Sequence, residues 1–291
     1  MEKIETLQFA VDAFNTDFAH NLNYSTLGRD LLNTADFHAS RRGFGIEMLS
    51  AAKRSWVLSR LSIEMNRMPQ LNEHYAVDTW IENIYRMFTN RNFCVWGRKD
   101  DGERTPLGYA RSIWAMIDND SRQPLDLARI YGEQFQQWLF PENECPIDVH
   151  SRIRPMDVSE RKPMMSHKVI YSDVDCNCHV NSIKYIEHIC NLFSLDYYRD
   201  HFMKRIEVAY VAEAYFGDTL HFYIDELEEN RYQIEIVKEK GNAVGNAGVG
   251  TSGTVAGNAG VGTSGTVAGN AGVNTSGTVA VVRAIVGFRK C

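Results

Sequence analysis

Twice along this chain a stretch with helical spacing is followed by a run of strand-like segments, and no other feature restricts the fold as tightly. In the first pass Leu27, Leu31, Leu32, Ala35, His38 and Ala39 recur mostly at three- and four-residue steps between about residues 25 and 42, ended by the Gly43 to Gly45 region. Strand-forming runs follow at 55–67, 75–85, 91–98 and 108–117, with Asp100-Asp101-Gly102 as a turn. In the second pass a short strand at 167–171 leads to a helix at 181–198, then strands at 205–213, 218–227, 231–238 and 278–288. Residues 125–157 read as connection with a short helix at 131–140, because Pro141, Pro146 and Pro155 discourage regular structure. The chain therefore divides into two units, 1–150 and 151–291, of α+β class. Asp78-Thr79 recurs as Asp218-Thr219, and Asn90-Arg91 recurs as Asn230-Arg231 at the same offset, which suggests an internal duplication.

The chemistry is expected where the periodicity changes inside the second unit, in the run VIYSDVDCNCHVNSIKYIEHICNLF from Val169 to Phe193. Val169, Ile170 and Tyr171 are strand formers, whereas Ile183, Ile186, Ile189, Cys190 and Phe193 recur at helical spacing, with Asn181 as the candidate N-cap. A helix start offers unpaired N–H groups and a partial positive charge, which stabilise an oxyanion as readily as a phosphate. Asp175, Asn177 and His179 stand just before it. If the segment is extended, alternation sends these three to one side and Cys176 and Cys178 to the other; if it is helical, Asp175 and His179 still share a face. Either geometry gathers a carboxylate, an amide and an imidazole able to move a proton near neutral pH. On spacing alone, a polar loop with a capping residue is an equal alternative.

Bulk properties exclude more than they assign. A net charge of -6 over 291 residues argues against general nucleic-acid binding. Arg41, Arg42, Lys53, Arg54, Arg60 and Arg67 either form a local basic patch for an acidic partner or are ordinary solvated residues. The start has acidic residues and no apolar core, and no run of about 18 apolar residues suggests a membrane span, so a cytoplasmic location is expected. The six cysteines lack a framework and fit reduced thiols. Cys176-x-Cys178-His179 is not a usual zinc pair and no second cluster completes it, so neither metal nor cofactor is expected. His38 reads as a packed or partly exposed histidine rather than a catalytic one, because no partner lies near it in sequence. Between 245 and 280 a twelve-residue unit occurs three times, as GNAGVGTSGTVA twice and GNAGVNTSGTVA once. It carries no charge and no aromatic, and its valines cannot repay the ordering of so many glycines, so a flexible insertion in the last hairpin is the expectation.

The run from Tyr171 to His188, with Asp175-x-Asn177-x-His179-Val180-Asn181 and then Lys184-Tyr185-Ile186, resembles the active-site segment of the acyl-acyl carrier protein thioesterases. Trp56-Val57-Leu58-Ser59-Arg60, Arg67-Met68-Pro69 and Val77-Asp78-Thr79-Trp80 resemble a first-domain signature of the same family. The resemblance implies a tandem (double) hotdog, two helices each wrapped by an antiparallel sheet, with the acyl pocket shaped by the first half and catalysis in the second. It also implies hydrolysis of fatty acyl thioesters, with acyl carrier protein as the acidic partner and no cofactor; a homodimer is compatible with it. By position, Asp175 would orient or activate water, Asn177 would place the carbonyl or the histidine, and His179 would act as base and acid. Glu213 would be a further acid-base or positioning group. Plant members carry a cysteine after that glutamate where this chain has Ala214, so direct attack by water is expected. Candidates for the acyl slot are Met48, Leu49, Met65, Trp80, Phe93 and Trp114. The rival readings are a thioesterase for acyl-coenzyme A and a hotdog that binds acyl thioesters without turnover.

Overall fold

The computed structural model describes residues 2–98, 102–241 and 278–291. The strands are β1 (Glu5–Ala10), β2 (Arg54–Met65), β3 (His74–Tyr85), β4 (Phe88–Arg98), β5 (Arg104–Asp118), β6 (Met165–Lys168), β7 (His201–Tyr210), β8 (Thr219–Glu228), β9 (Arg231–Glu239) and β10 (Val279–Lys290). The helices are α1 (Tyr24–Ser40), α2 (Ile46–Ala51), α3 (Leu127–Tyr131), α4 (Glu133–Gln136), α5 (Ser182–Cys190) and α6 (Leu195–Asp200). All ten strands join one antiparallel sheet in the order β1-β3-β4-β5-β2-β7-β10-β9-β8-β6. The two halves of that order mirror each other about the β2–β7 seam, where Arg60 faces Ala209 and Glu64 faces Arg205.

One face of the sheet packs against α1 and α5. Leu27 and Leu31 of α1, Ile186 and Ile189 of α5, and Ile63, Phe93, Ile206, Ile234 and Val286 of the strands fall in one buried cluster. The helices touch at Gly28, where an added Cβ would lie 2.9 Å from the Cδ1 of Ile183. The opposite face is covered by the connection between the halves. Cys145 and Ile147 pack on Trp80 and Cys94, Ile153 packs on Ala209 and Ile285, and Val158 packs on Tyr223 and Val237. This strap is tied down by Arg60 donating to the Ser151 carbonyl at 3.0 Å and by the Ser151 N–H donating to Glu207 at 2.7 Å. A stretch without periodicity thus has a fixed course, set by apolar contacts on the back of the sheet.

Several boundaries differ from the sequence reading. The helix expected at 181–198 is two helices, because Asn191 ends α5 and the Ser194 side chain accepts from the Tyr197 N–H at 3.1 Å to start α6. The strand expected at 167–171 ends at Lys168, and Tyr171–Asp173 form a 3-10 turn. β1 and α2 are additional elements. The repeat of 245–280 lies outside the described residues except at its end, where Val279 and Ala280 open β10 and pair with Lys238 and Val237.

The two halves enter their long helices alike. The Val11 N–H donates to the Glu73 carbonyl at 3.0 Å as the Val169 N–H does to that of Asp218 at 2.8 Å. The same interval then separates Val11 from Asn23, the N-cap of α1, and Val169 from Asn181, the N-cap of α5. The side-chain oxygens of both asparagines accept helix N–H groups, from Thr26 at 2.7 Å and from Ile183 at 2.9 Å. The offset that carries Asp78 to Asp218 does not superimpose these elements, since Asp78 lies inside β3 whereas Asp218 precedes β8.

Candidate active site

Between β6 and α5 the chain makes a tight loop that is neither extended nor helical. Val174 and Val180 form a bridge, the Asp175 N–H donates to the His179 carbonyl at 2.9 Å, and the Cys178 N–H donates to the Asp175 carbonyl at 3.0 Å. Cys178 takes a positive φ of 63° at the turn. Side-chain alternation therefore does not govern this segment, and both Cys176 and Cys178 are exposed. The Asp175 carboxylate accepts from the backbone N–H groups of Asn177 at 2.8 Å and His179 at 3.4 Å. Asn177 is exposed near the tip of the loop.

His179 points the other way, toward the segment after β7. Its Nε2 lies 3.4 Å from Oε2 of Glu213, and its ring meets Tyr215 edge-on with centroids 5.1 Å apart. Both side chains of the pair are about one-third exposed or less, at 26% and 32%. The loop is fastened here by the Val180 N–H donating to the Ala214 carbonyl at 2.9 Å. Of the four residues named from the sequence, the fold thus brings His179 and Glu213 side chain to side chain. It joins Asp175 to His179 only through the backbone.

Three further residues surround Glu213. The Tyr215 hydroxyl donates to its Oε2 at 2.9 Å. Burial first, and then that hydrogen bond, push the Tyr215 phenol up to about 12, so it stays a donor at neutral pH. Arg122 forms an ion pair with the other carboxylate oxygen. The Lys238 ammonium donates to the Glu213 carbonyl and lies 5.0 Å from the centre of the Tyr215 ring. Arg122 comes from the first half. β2 runs antiparallel to both β5 and β7, so the turn after β5 falls beside the chain leaving β7. Sequence spacing signals none of this for Arg122; Tyr215 carried a weak signal, two positions after Glu213.

A carboxylate only accepts hydrogen bonds, so a hydrogen bond across the His179–Glu213 contact would need the proton on Nε2, with the Nδ1 lone pair left to take another. The arrangement is an imidazole base oriented by a carboxylate, which is itself held by an arginine and a tyrosine.

Of the residues named for an acyl slot, Met65, Phe93 and Trp114 share the core beneath the helices, whereas Trp80 is on the opposite face of the sheet, Leu49 packs with Met116 and Leu127, and Met48 is exposed. The basic residues named for a patch are largely paired within the fold: Arg41 and Arg42 with Glu5, Lys53 with Asp120, Arg67 with Glu73.

Residues 2–134 match the model of the acyl-ACP thioesterase N-terminal domain, and residues 156–249 match that of the acyl-ACP thioesterase C-terminal domain. A solved acyl-ACP thioesterase from Bacteroides thetaiotaomicron is 39% identical, with a TM-score of 0.77 over 99% of this chain and 98% of that one. The 12:0-ACP thioesterase from Umbellularia californica is 14% identical and shares the fold, at a TM-score of 0.74 over 100% and 99% of the two chains. The chloroplastic oleoyl-acyl carrier protein thioesterase 2 of Arabidopsis thaliana is 23% identical over 246 residues, which is 80% of this chain. The match spans 64% of that plant protein's length. The double hotdog architecture is thereby established.

Proposed function

Because the chain belongs to the acyl-ACP thioesterase family, we propose that it hydrolyses fatty acyl-acyl carrier protein thioesters, releasing free fatty acid and carrier protein in fatty acid biosynthesis. The observation that carries this reading is the His179–Glu213 pair, 3.4 Å apart at the mouth of the α5 loop. His179 Nδ1 takes a proton from water as the water oxygen attacks the thioester carbonyl carbon. The resulting imidazolium gives that proton to the departing thiolate. Glu213 holds the ring and stabilises its charged form, while Arg122 and Tyr215 fix Glu213. Asn177 positions the carbonyl, and the positive end of α5 favours the tetrahedral oxyanion. Asp175 shapes the loop that presents both. Ala214 supplies no thiol, and water is the nucleophile.

The units 1–150 and 151–291 are read as a non-catalytic hotdog that shapes the acyl pocket and a catalytic one. Arg122, reaching from the first half into the site of the second, makes the first half a contributor to the site's geometry as well. The single chain supplies every group named, so the reading holds for a monomer and a homodimer alike. No helix among the described residues is long and apolar enough to cross a membrane, and a cytoplasmic location fits this role.

The test is thiol release from a panel of acyl-acyl carrier proteins and the matching acyl-coenzyme A esters. The expected result is hydrolysis with kcat/KM at least about tenfold higher for the carrier-protein esters. Equal or better turnover of the coenzyme esters would assign the substrate to coenzyme A, and tight binding without turnover would leave a non-catalytic module.

A further inference from the structure

Beside the α5 loop, and separate from the His179–Glu213 pair, three side chains from three elements converge. His167 comes from β6, Asp173 from the 3-10 turn and His188 from α5. Nε2 of His167 lies 2.7 Å from Oδ2 of Asp173, and Nε2 of His188 lies 3.4 Å from its Oδ1. One ligand atom from each of the three can be chosen so that all lie within 4.8 Å of one another. Asp173 and His188 are buried, with side chains 4% and 9% exposed, and the two imidazole rings lie 4.2 Å apart. Despite its closeness to Asp173, the buried Nε2 of His188 has no well-aligned hydrogen-bond partner. A buried polar nitrogen left this way is costly unless something else binds it.

The fold does not require these residue types. The offset that superimposes the two helix entries puts Phe9, Asn15 and Asp30 of the first half at the positions of His167, Asp173 and His188. There Phe9 stacks on Tyr75 and Asp30 accepts from the Tyr75 hydroxyl, an arrangement that joins β1, β3 and α1 without two imidazoles around a carboxylate. The second half has replaced an aromatic contact with a set of two nitrogens and one oxygen.

We propose that His167, Asp173 and His188 bind one divalent transition-metal ion of the zinc class, which ties β6, the 3-10 turn and α5 together next to the loop that carries His179. Two neutral imidazoles and a carboxylate are a donor set for such ions. In a tetrahedral site with metal–ligand distances of about 2.0–2.2 Å the ligand atoms stand roughly 3.3–3.5 Å apart. His188 Nε2 already stands at that separation from Oδ1 of Asp173, while His167 Nε2 lies 2.7 Å from the other oxygen, Oδ2. The carboxylate and the His167 ring therefore shift to present their ligand atoms to one shared ion, with the His167 proton carried on Nδ1 so that Nε2 donates its lone pair. Asp173 is preset for this by the Ile170 N–H, which donates to its Oδ2 at 2.9 Å. The Asp173 carbonyl accepts from the Asn181 N–H at 2.8 Å, so immobilising Asp173 also fixes the N-cap of α5. The ion has a structural role, since it sits among groups that are largely shielded from solvent and away from the His179–Glu213 pair.

The test uses the full chain with Cys176→Ser, Cys178→Ser and Cys291→Ser, which removes the exposed thiols as competing ligands. After treatment with a chelator, the protein is titrated with Zn2+ by calorimetry and, separately, with Co2+ while its visible spectrum is recorded. One Zn2+ per chain is expected, with melting raised by roughly 5 °C at saturation. His188→Gln and His167→Gln should each weaken binding at least about a hundredfold and abolish the Co2+ absorption of a tetrahedral site. If the buried His188→Gln chain fails to fold, the more exposed His167→Gln decides. Absence of stoichiometric Zn2+ binding, or equal affinity in the His167→Gln variant, would overturn the proposal and leave the cluster a simple hydrogen-bonded brace.

Discussion

The loop before α1 and the loop before α5 have the same backbone and different chemistry. In the first, Thr16 bridges Leu22, the Asp17 N–H donates to the Asn21 carbonyl at 2.8 Å, and His20 takes a positive φ of 62°. In the second, Val174 bridges Val180, the Asp175 N–H donates to the His179 carbonyl at 2.9 Å, and Cys178 takes 63°. Asp17 accepts from the N–H groups of Ala19 and Asn21 as Asp175 does from those of Asn177 and His179. The Leu22 N–H donates to the Pro69 carbonyl where the Val180 N–H donates to that of Ala214. The aspartate is therefore what the turn requires, in the loop with Asn21 as much as in the loop with His179 at that position. The loops differ at the positions proposed to carry the reaction, where Ala19, Asn21 and Met68 stand in place of Asn177, His179 and Glu213.

Converting the second loop toward the first should have the largest effect. Glu213→Met, which installs the first half's residue, is expected to lower kcat about a hundredfold, equivalent to about 2.7 kcal/mol, with an unchanged melting temperature. Steady-state thiol release and thermal melting together check this. Wild-type activity in that variant would break the distinction between the loops.

A second contrast concerns pH and lies in α1. His38 is fully buried between Arg91, which donates to its Nδ1 at 3.3 Å, and the Lys3 carbonyl, 3.3 Å from its Nε2. Burial first, then the charges of Arg91 and Arg42, lower its pKa from 6.5 to about 2. Below about pH 6.5 the unfolded chain binds a proton that the folded chain refuses, so stability falls as pH drops and is level above that range. The loss from His38 should reach on the order of 2 kcal/mol by pH 5. Urea midpoints at pH 7 and pH 5 measure it, and the gap between them should narrow in His38→Gln. Burial moves His188 in the same direction, helped by the neighbouring His167, so the second half adds to the loss with the same sign.

Asp17→Ala and Asp175→Ala sharpen the comparison from the structural side. Each removes one acceptor of two backbone N–H groups and should cost about 1–2 kcal/mol of stability by urea denaturation. Asp17→Ala should leave kcat within about threefold, whereas Asp175→Ala should also lower turnover because it loosens the loop holding His179. Asp175→Asn, which keeps an oxygen acceptor, should restore most of that turnover; a collapse equal to that of Asp175→Ala would give the carboxylate a direct part in the reaction. The smallest effect is expected for Arg122→Met, about threefold to tenfold in kcat, since Tyr215 still holds Glu213.

The same two loops show what a sequence carries openly. The helices were legible because an apolar stripe repeats over several turns and, for the second, because Asn181 marks its start. Asp175, Asn177 and His179 stood out by residue type and position before a helix. Their geometry was not legible, since alternation applies to an extended chain and the loop is closed by a left-handed residue at Cys178. The duplication was legible as a repeated order of elements, but its register was hidden. The helix entries and the β-hairpins superimpose at different offsets because the intervening connections differ in length, so no single shift aligns Asp17 with Asp175 and Met68 with Glu213. Arg122 and the His167–Asp173–His188 group are products of tertiary folding, assembled from segments whose spacing signals no common site.

The central claim is that His179 makes the second loop reactive where Asn21 leaves the first inert. The direct measurement is the initial rate of free-thiol release from an acyl-acyl carrier protein by the parent and by His179→Asn, which gives the second loop the residue of the first. A fall of at least about a hundredfold in a variant with the parent's melting temperature is the predicted result. Turnover within a few-fold of the parent would contradict the account and return the chemistry to another residue.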